Sequence, residues 1–588
     1  MIKILAFDSI FIIYPLRKIY LILLNLIVNK KQTTRDRLLL YRLDKENIFL
    51  TDKRNISGMT IGFDKKHINL MTVKFYRFLE SSGICKDLLI NNVSLYQTHT
   101  RQVTLKLRSV LECAYRIIKL SNDNKKNTEI ITDKQTISVI NEAFNFLDYN
   151  PNNIKLRSNF FLTTCITINS LIMRSAAIIK MIISPSKFPE EYFYKYVSSS
   201  VPTIVLIGPE NKTEIFFSTY VNNFSNKFNI ILYNLGSSNF LPNNFKSVRV
   251  KRTRRYLRGI FNIKNIGSTL ASYVGDILLI NKNHSELNKS LDVVDSIYSN
   301  KIDIILSNKQ TMVLDNYLAL EAKRKGIFIL ADIFEEVYCC NAAIVSSKID
   351  YRETINLALE SNGTVFFKGQ NDLIRYRLKN TNIINKNYLR NLFNIDMKKK
   401  IIFFASDPLK EESQRYLTEQ FLINYFSNNK EFILIIKTHH QDNGNVTNQA
   451  YINSGKPSNV ILIGDIVQKN HIKSKDFFLF DQFDFKAAIV SSDGFLTKAS
   501  SSILEALALG VKCGLVDKFN DGHFKDLIKF KAISLIDNQD NLTDFLKKKK
   551  LNISDEILSF CGLKNEGTKK FDIEEYSLKS LNDYYMDK

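Results

Sequence analysis

Between Val201 and Val516 short apolar runs alternate with helix-patterned stretches, and this alternation constrains the fold more than any other feature. Val201–Gly208, Asn229–Tyr233, Ile302–Leu306 and Ile327–Leu330 are almost wholly apolar. A strand with one solvated side alternates polar and apolar residues; a strand with none is buried on both faces. Helical spacing over Thr213–Lys227 and Met312–Lys325 separates these runs. A second series begins near Lys400: strands at Ile401–Ala405, Phe432–Ile436, Val460–Ile463, Ala487–Ser491 and Cys513–Val516, helices at Glu411–Phe426 and Ile503–Leu509. Such alternation gives parallel sheets covered by helices. The expected fold class is α/β, with two tandem Rossmann-like domains facing a cleft and ligands at the carboxyl ends of the strands.

Residues 1–195 lack this clean alternation. Asn47–Leu50 reads as a strand, and Arg101–Leu120 and Ile137–Leu147 have helical spacing. A mixed α/β or mostly helical accessory region of unknown role is expected there. Pro185, Pro189 and Ser198–Ser200 mark a linker, and Asp572–Tyr585 a last helix. The expected division is 1–195, 196–390, 391–550 and a helical tail, 551–588.

With 588 residues, 45% hydrophobic and 24% charged, the chain can build several cores. Its net charge of +23 favours acidic partners: nucleotide-linked donors, anionic lipid or nucleic acid. Part of that charge follows the richness in Ile, Asn and Lys that an AT-rich genome produces. The seven cysteines include no C-x-x-C pair, which argues against zinc and thioredoxin-type chemistry and fits a reducing compartment. No metal is expected. There is no secretory signal. Ile10–Val28 is strongly apolar but carries Arg17 and Lys18 at its centre, too costly for a bilayer span. It reads as an interfacial segment, or as a buried helix after a strand at Ile2–Phe7. Phe161–Ile183 is similar, interrupted by Arg174 and Lys180. Neither a G-x-G-x-x-G nor a G-K-[ST] loop is present, which disfavours dinucleotide oxidoreduction and phosphate-loop hydrolysis.

Two stretches carry chemistry. Phe485–Asp517 runs strand, loop, Ser-rich helix start, glutamate, short strand. A helix start leaves N–H groups unpaired and carries partial positive charge, so Ser500, Ser501 and Ser502 can cap the helix and hold phosphate. Glu505, one turn in, can accept from ribose hydroxyls. An ordinary N-cap with a first-turn glutamate explains the same residues. Ser491–Gly494 reads as a turn lining this pocket. The second stretch, Phe432–Asp442, is a buried strand ending in Lys437, Thr438, His439 and His440.

On these motifs the chain resembles the GT-B superfamily of glycosyltransferases, and within it bacterial capsule and surface-polysaccharide transferases. IIKTHHQD resembles a strand-end K-x-H-P element, with His439 at the histidine and His440 in place of proline. SSSILEALALGVK resembles S-S-x-x-x-E-A-x-x-x-G-K/P through Ser500, Ser501, Glu505, Ala506, Gly510 and Lys512. LADIFEEVY resembles a D-x-H-E strand end through Asp332 and Glu335, with Phe334 at the usual histidine. The resemblance covers about 200–588. It implies an acceptor-side domain at 196–390 and a nucleotide-sugar donor domain at 391–550.

It implies a transferase moving sugar from a nucleotide-sugar co-substrate to a surface polysaccharide or lipid-linked glycan, with no bound cofactor. Hexosyl and sialyl- or Kdo-type transfer both remain open. Ser500–Ser502, Lys437 and Lys410 are the expected donor phosphate ligands, with Gly208 after the first strand. His439 bonds a phosphate oxygen or protonates the leaving group. Glu335, then Asp332, are the general-base candidates, with Glu336 beside them. The implied place is cytoplasmic or peripheral at the inner face of the cell membrane. The basic runs Arg249–Arg258 and Lys547–Lys550 read as solvated faces or as contacts for anionic lipid; no nucleic-acid motif accompanies them. Rival readings are a polyol-phosphate transferase or nucleotide-sugar 2-epimerase of the same fold, and a non-catalytic polyanion- or membrane-binding protein.

Overall fold

The computed structural model describes residues 2–6, 39–42, 48–50, 65–83, 89–90, 93–123, 128–150, 154–183, 191–207, 221, 224, 227–233, 244–250, 283–307, 313–333, 339–351, 354–369, 387–406, 412–438, 445–464, 477–479, 483–498, 500–518, 524–548, 553–563 and 572–586.

The first sheet contains β1 (Ile2–Ala6), β2 (Leu39–Arg42), β3 (Ile48–Leu50), β6 (Thr128–Thr132) and β7 (Ile154–Ser158), in the order β3-β2-β1-β6-β7. Only the β2–β3 pair is antiparallel. A small hairpin joins β4 (Leu89–Ile90) to β5 (Val93–Ser94). The N-terminal region is therefore mixed α/β and has a parallel ladder that its sequence did not announce.

The second sheet holds β8 (Glu191–Lys195), β9 (Thr203–Ile207), β10 (Asn229–Tyr233), β11 (Lys246–Arg249), β12 (Ile304–Ser307), β13 (Phe328–Ile333), β14 (Cys340–Val345) and β15 (Leu359–Phe367). Its order is β11-β8-β10-β9-β12-β13-β14-β15, parallel from β10 to β15. The Ser198–Ser200 stretch is pinned to this sheet: Asn229 Nδ2 donates to the Ser198 carbonyl at 2.8 Å, and Val197 N donates to Asn229 Oδ1 at 2.7 Å.

The third sheet holds β16 (Lys400–Ala405), β17 (Phe432–Lys437), β18 (Val460–Gly464), β19 (Phe477–Leu479), β20 (Gly494–Thr497), β21 (Cys513–Val516) and β22 (Ser534–Ile536). The order is β19-β18-β17-β16-β20-β21-β22, and every ladder is parallel. The chain winds outward from β16, then returns to β20 on its other side. The second sheet does the same from β9, first to β10 and later to β12. The α/β class with two tandem Rossmann-like domains thus stands on the chain's own sheets.

One strand expectation is corrected. Ala487–Ser491 belongs to a helix, Phe485–Ser491, and the strand that follows is Gly494–Thr497. Asp484 starts that helix, its Oδ1 accepting from Lys486 N at 3.0 Å and Ala487 N at 3.1 Å. A short apolar run has the same look in a buried helix and a buried strand; the aspartate cap decides it.

Both faces of each Rossmann-like sheet are buried. Ile435, Phe403 and Phe495 point to one side of the third sheet, and Leu434, Phe404 and Leu496 to the other. On one face of the second sheet, Val205, Ile231 and Ile305 share a continuous core with the helices Lys65–Ser81, Thr100–Asp123 and Lys134–Phe146. The opposite face, with Ile204, Leu206 and Ile230, is covered partly by the helix Ile573–Met586 through Ile573 and Leu581. Tyr576 packs on Phe366 with ring centroids 4.7 Å apart, and Tyr584 OH donates to the Gly326 carbonyl at 3.4 Å. The chain thus leaves the third sheet and returns to the second.

Leu581→Ala is expected to cost about 2–5 kcal/mol. Hydrogen exchange should speed up in β9, β10 and β12 and stay unchanged in β16 to β18.

Candidate functional site

Four of the third sheet's strands give way to a polar residue at the carboxyl end: Ser406 after β16, Thr438 after β17, Lys498 after β20 and Asp517 after β21. All four are buried. Strands covered on both faces have nowhere else to present polar groups. The helices that follow β16 and β20, Glu412–Ser427 and Ser502–Ala508, pack on opposite faces of the sheet, which makes this edge a switch point of the kind where open α/β sheets bind ligands.

A hydrogen-bonded string crosses this edge. Thr497 Oγ1 donates to the Ala405 carbonyl at 3.0 Å, and Ser500 N donates to Thr497 Oγ1 at 3.3 Å. Ser500 Oγ accepts from Ser502 N at 3.3 Å and from Ser502 Oγ at 2.8 Å. Ser500 therefore supplies the cap of the helix Ser502–Ala508. Ser501, at the N-cap position with φ −60° and ψ −13°, makes no side-chain cap bond and is exposed. Glu505 sits in the first turn and is 3% exposed. Gly510 ends the helix at φ 67°, with Gly510 N donating to the Leu507 carbonyl and Val511 N to the Ala506 carbonyl, both at 2.9 Å. That left-handed turn is the reason for the glycine.

Lys437 ends β17 on the same face as Ile435 and the helix Ser502–Ala508. Its Nζ lies 5.1 Å from the centre of the Phe485 ring, a cation–π contact. Lys498 is 1% exposed. A buried ammonium needs anionic or hydrogen-bonding partners, and buried carboxylates, Glu419, Glu505 and Asp517, lie on the elements around this edge. Ser406 Oγ donates to Glu419 Oε1 at 2.5 Å, and Arg415 Nε is 3.9 Å from the same oxygen.

Sequence reasoning missed Lys498, Ser406, Arg415 and Glu419. The missed signal was the polar residue closing each apolar run. Lys410, His439, Glu335, Glu336 and Gly208 lie outside the described residues. Asp332 is described: it sits near the end of β13, and its Oδ2 lies 3.5 Å from Lys368 Nζ, both side chains 5% exposed. A carboxylate oxygen that already accepts from a buried ammonium has less to offer an acceptor hydroxyl.

Two corrections concern the opposite edge. The Ser491–Gly494 turn does not line this site. Asp493 Oδ2 accepts from Ile401 N at 2.7 Å, at the amino end of β16. Lys512, matched to the motif's lysine, also lies at an amino end, before β21. Its Nζ donates to the carbonyls of Phe545, Leu546 and Lys548 at 2.9, 3.3 and 3.0 Å, closing the helix Gln539–Lys547. Burial lowers its pKa.

The second sheet has its own switch point, between β9 and β12. Tyr233 ends β10 opposite Ile207, and Ser307 ends β12 one residue beyond the Leu306–Leu206 pair. Both hydroxyls are buried and find no hydrogen-bond partner among the described residues. Burial pushes the Tyr233 phenol well up, so the hydroxyl keeps its proton near neutrality and has a hydrogen bond to offer. Among the described residues no group of three or more His, Cys, Asp and Glu is placed to hold a metal ion, and no helix is long and apolar enough to cross a membrane.

No protein-family profile matches the sequence, and no curated protein matches it either. Solved structures do. Staphylococcus aureus MnaA with UDP is 13% identical, covering 66% of this chain and 97% of that one, at a TM-score of 0.37. A UDP-GlcNAc 2-epimerase of Methanocaldococcus jannaschii, in complex with UDP-GlcNAc and UDP, is 14% identical over 64% and 99%, at 0.35. A variant O-GlcNAc transferase of Thermobaculum terrenum is 9% identical over 89% and 99%, at 0.35.

Lys512→Ala should lower stability by about 1–3 kcal/mol in denaturant melts and leave nucleotide binding unchanged. Tyr233→Phe removes a buried hydroxyl that has no partner among the described residues, so its melting temperature should match or exceed the parent's.

Proposed function

We propose that this chain transfers a sugar from a nucleotide-sugar donor to a glycan or lipid-linked acceptor. One observation carries the reading: buried Lys498, the linked hydroxyls of Ser500 and Ser502, and buried Glu505 follow one another at the carboxyl edge beside the β16–β20 switch point. Phosphate needs cations and donors held in place, and ribose needs an acceptor such as a carboxylate. Lys498 and Lys437 offset the charge that builds on the departing phosphate, and Ser500 and Ser501, at the start of the helix that Ser502 opens, donate to its oxygens. Glu505 accepts from the ribose.

In the inverting form of the reaction the acceptor oxygen bonds the anomeric carbon as the bond from that carbon to the phosphate oxygen breaks. The electron pair leaves with the nucleotide, and Glu335 takes the acceptor proton. Asp332, held by Lys368, positions the strand end from which Glu335 follows. His439, next after Thr438, and Lys410, in the loop after β16, complete the donor side. Gly208, after β9, joins the acceptor domain to the donor phosphate. A peripheral place at a membrane suits a lipid-linked acceptor.

A thermal-shift panel with UDP, GDP, CMP and ADP tests this reading. A ligand at about a hundredfold excess over its Kd stabilises the folded state by about 2.7 kcal/mol. A shift with one nucleotide, lost in Glu505→Ala and Lys498→Ala, supports the donor site and names the donor class. No shift with any nucleotide, together with salt-sensitive binding to polyanions, would replace it with the non-catalytic reading. Incubation with the matching nucleotide sugar then separates transfer from epimerisation: labelled glycan in the first case, epimerised donor in the second.

A further inference from the structure

Among the described residues, the helix Phe160–Ile183 presents an exposed apolar face over Phe160–Ile172. Phe160 is 77% and Phe161 62% exposed, and their rings meet edge to face at 5.8 Å. Ile168, Leu171 and Ile172 are exposed as well. At about 100° per residue these five positions fall within an arc of about 120° and extend about 18 Å along the axis. Leu162, Cys165, Ile166, Asn169 and Ser170 lie buried on the opposite side. Single exposed apolar residues are ordinary; a continuous stripe is not.

The polar residues within the stripe are closed off. Thr164 Oγ1 donates to the Phe160 carbonyl at 2.9 Å, and Ser175 Oγ to the Leu171 carbonyl at 3.1 Å. Their hydroxyl protons are spent inside the helix and ask nothing of a partner.

The charge around the stripe is positive. The helix contains no acidic residue; its charged residues are Arg174 and Lys180. Arg157, three residues before Phe160, is exposed. So is Lys134, whose backbone N–H donates to Thr163 Oγ1 at 3.1 Å, one turn into the helix. Asp133, beside it, is buried and engaged as a helix cap through Thr136 N at 2.8 Å. The end that bears the phenylalanine pair therefore carries two exposed cationic side chains, Lys134 and Arg157. A second copy of the chain, itself at +23, would meet like charge.

We propose that this face docks on the surface of an anionic lipid bilayer. Phe160 and Phe161 enter at the level where acyl chains begin, Ile168, Leu171 and Ile172 lie along that level, and Lys134 and Arg157 meet lipid phosphates. An amphipathic helix of this kind settles about 5–10 Å into the boundary between headgroups and chains. The docking is independent of the nucleotide-sugar reading.

The chain contains no tryptophan, so Phe161→Trp introduces a single reporter. With phosphatidylcholine vesicles containing phosphatidylglycerol, its emission should shift to the blue and be quenched by brominated acyl chains, and the unaltered protein should float with the vesicles. The double variant Phe160→Ser with Phe161→Ser should lose roughly tenfold or more in partitioning. Lys134→Glu with Arg157→Glu should weaken binding to anionic vesicles, and pure phosphatidylcholine should bind far less. Thermal melts and the nucleotide panel should be unchanged in these surface variants, which separates failure here from failure of the donor site. The proposal is overturned if the protein does not float, if the double serine variant floats equally well, or if light scattering shows a dimer that this variant converts to monomer.

Discussion

A strand buried on both faces can present polar chemistry only at its ends. The third sheet obeys this throughout: Ile401–Ala405, Phe432–Ile436 and Cys513–Val516 spend their side chains on the two cores. What remains for a ligand is the residue that closes each run. Ser406, Thr438, Lys498 and Asp517 form a polar rim because the sheet behind them is dry. The β16–β20 switch point lies at that rim, where the helices that follow the two strands pack on opposite faces of the sheet.

The two edges of this sheet divide the labour. At the amino edge Asp493 accepts from the first amide of β16, and Lys512 closes the helix Gln539–Lys547. Both residues have the chemistry of ligand-binding groups, and both are consumed by the fold. At the carboxyl edge Ser500 and Ser502 bond one another, while Lys437 rests on the Phe485 ring. The difference between scaffold and site lies in which end of the strand a side chain occupies, not in its type.

Much of this was legible in the sequence. The apolar runs gave β9, β10 and β12 of the second sheet and β16, β17, β18 and β21 of the third within a residue or two, and the start of β13, because burial on both faces leaves a clear pattern; β8, β11, β14, β15, β19 and β22 went unread. The run Ala487–Ser491 misled, since a short buried helix has the same composition, and only Asp484 before it marks the difference. The parallel ladder of β1, β2, β6 and β7 stayed hidden because two of its strands lie among long polar stretches. Lys512 looked like part of a motif; its role depends on the carbonyls of Phe545, Leu546 and Lys548, more than thirty residues away. Lys498 was passed over because the strand before it, Gly494–Thr497, was read as turn and loop, and only the packing shows this lysine closing a buried strand.

The helix Ile573–Met586 has a consequence for how the chain comes into being. It covers Ile204, Leu206 and Ile230, residues made more than three hundred positions earlier. During synthesis the second sheet emerges long before this helix, and the part of that face not covered by Val221, Phe224 and Phe228 waits in solvent. The third sheet meets no such delay, because its partner helices lie within its own stretch. The order in which cores close thus runs against the order of translation, and the middle of the protein is the last part to become dry. A ribosome pausing between the third sheet and this helix would hold an apolar surface open to solvent, where a chaperone that recognises exposed β-sheet could act.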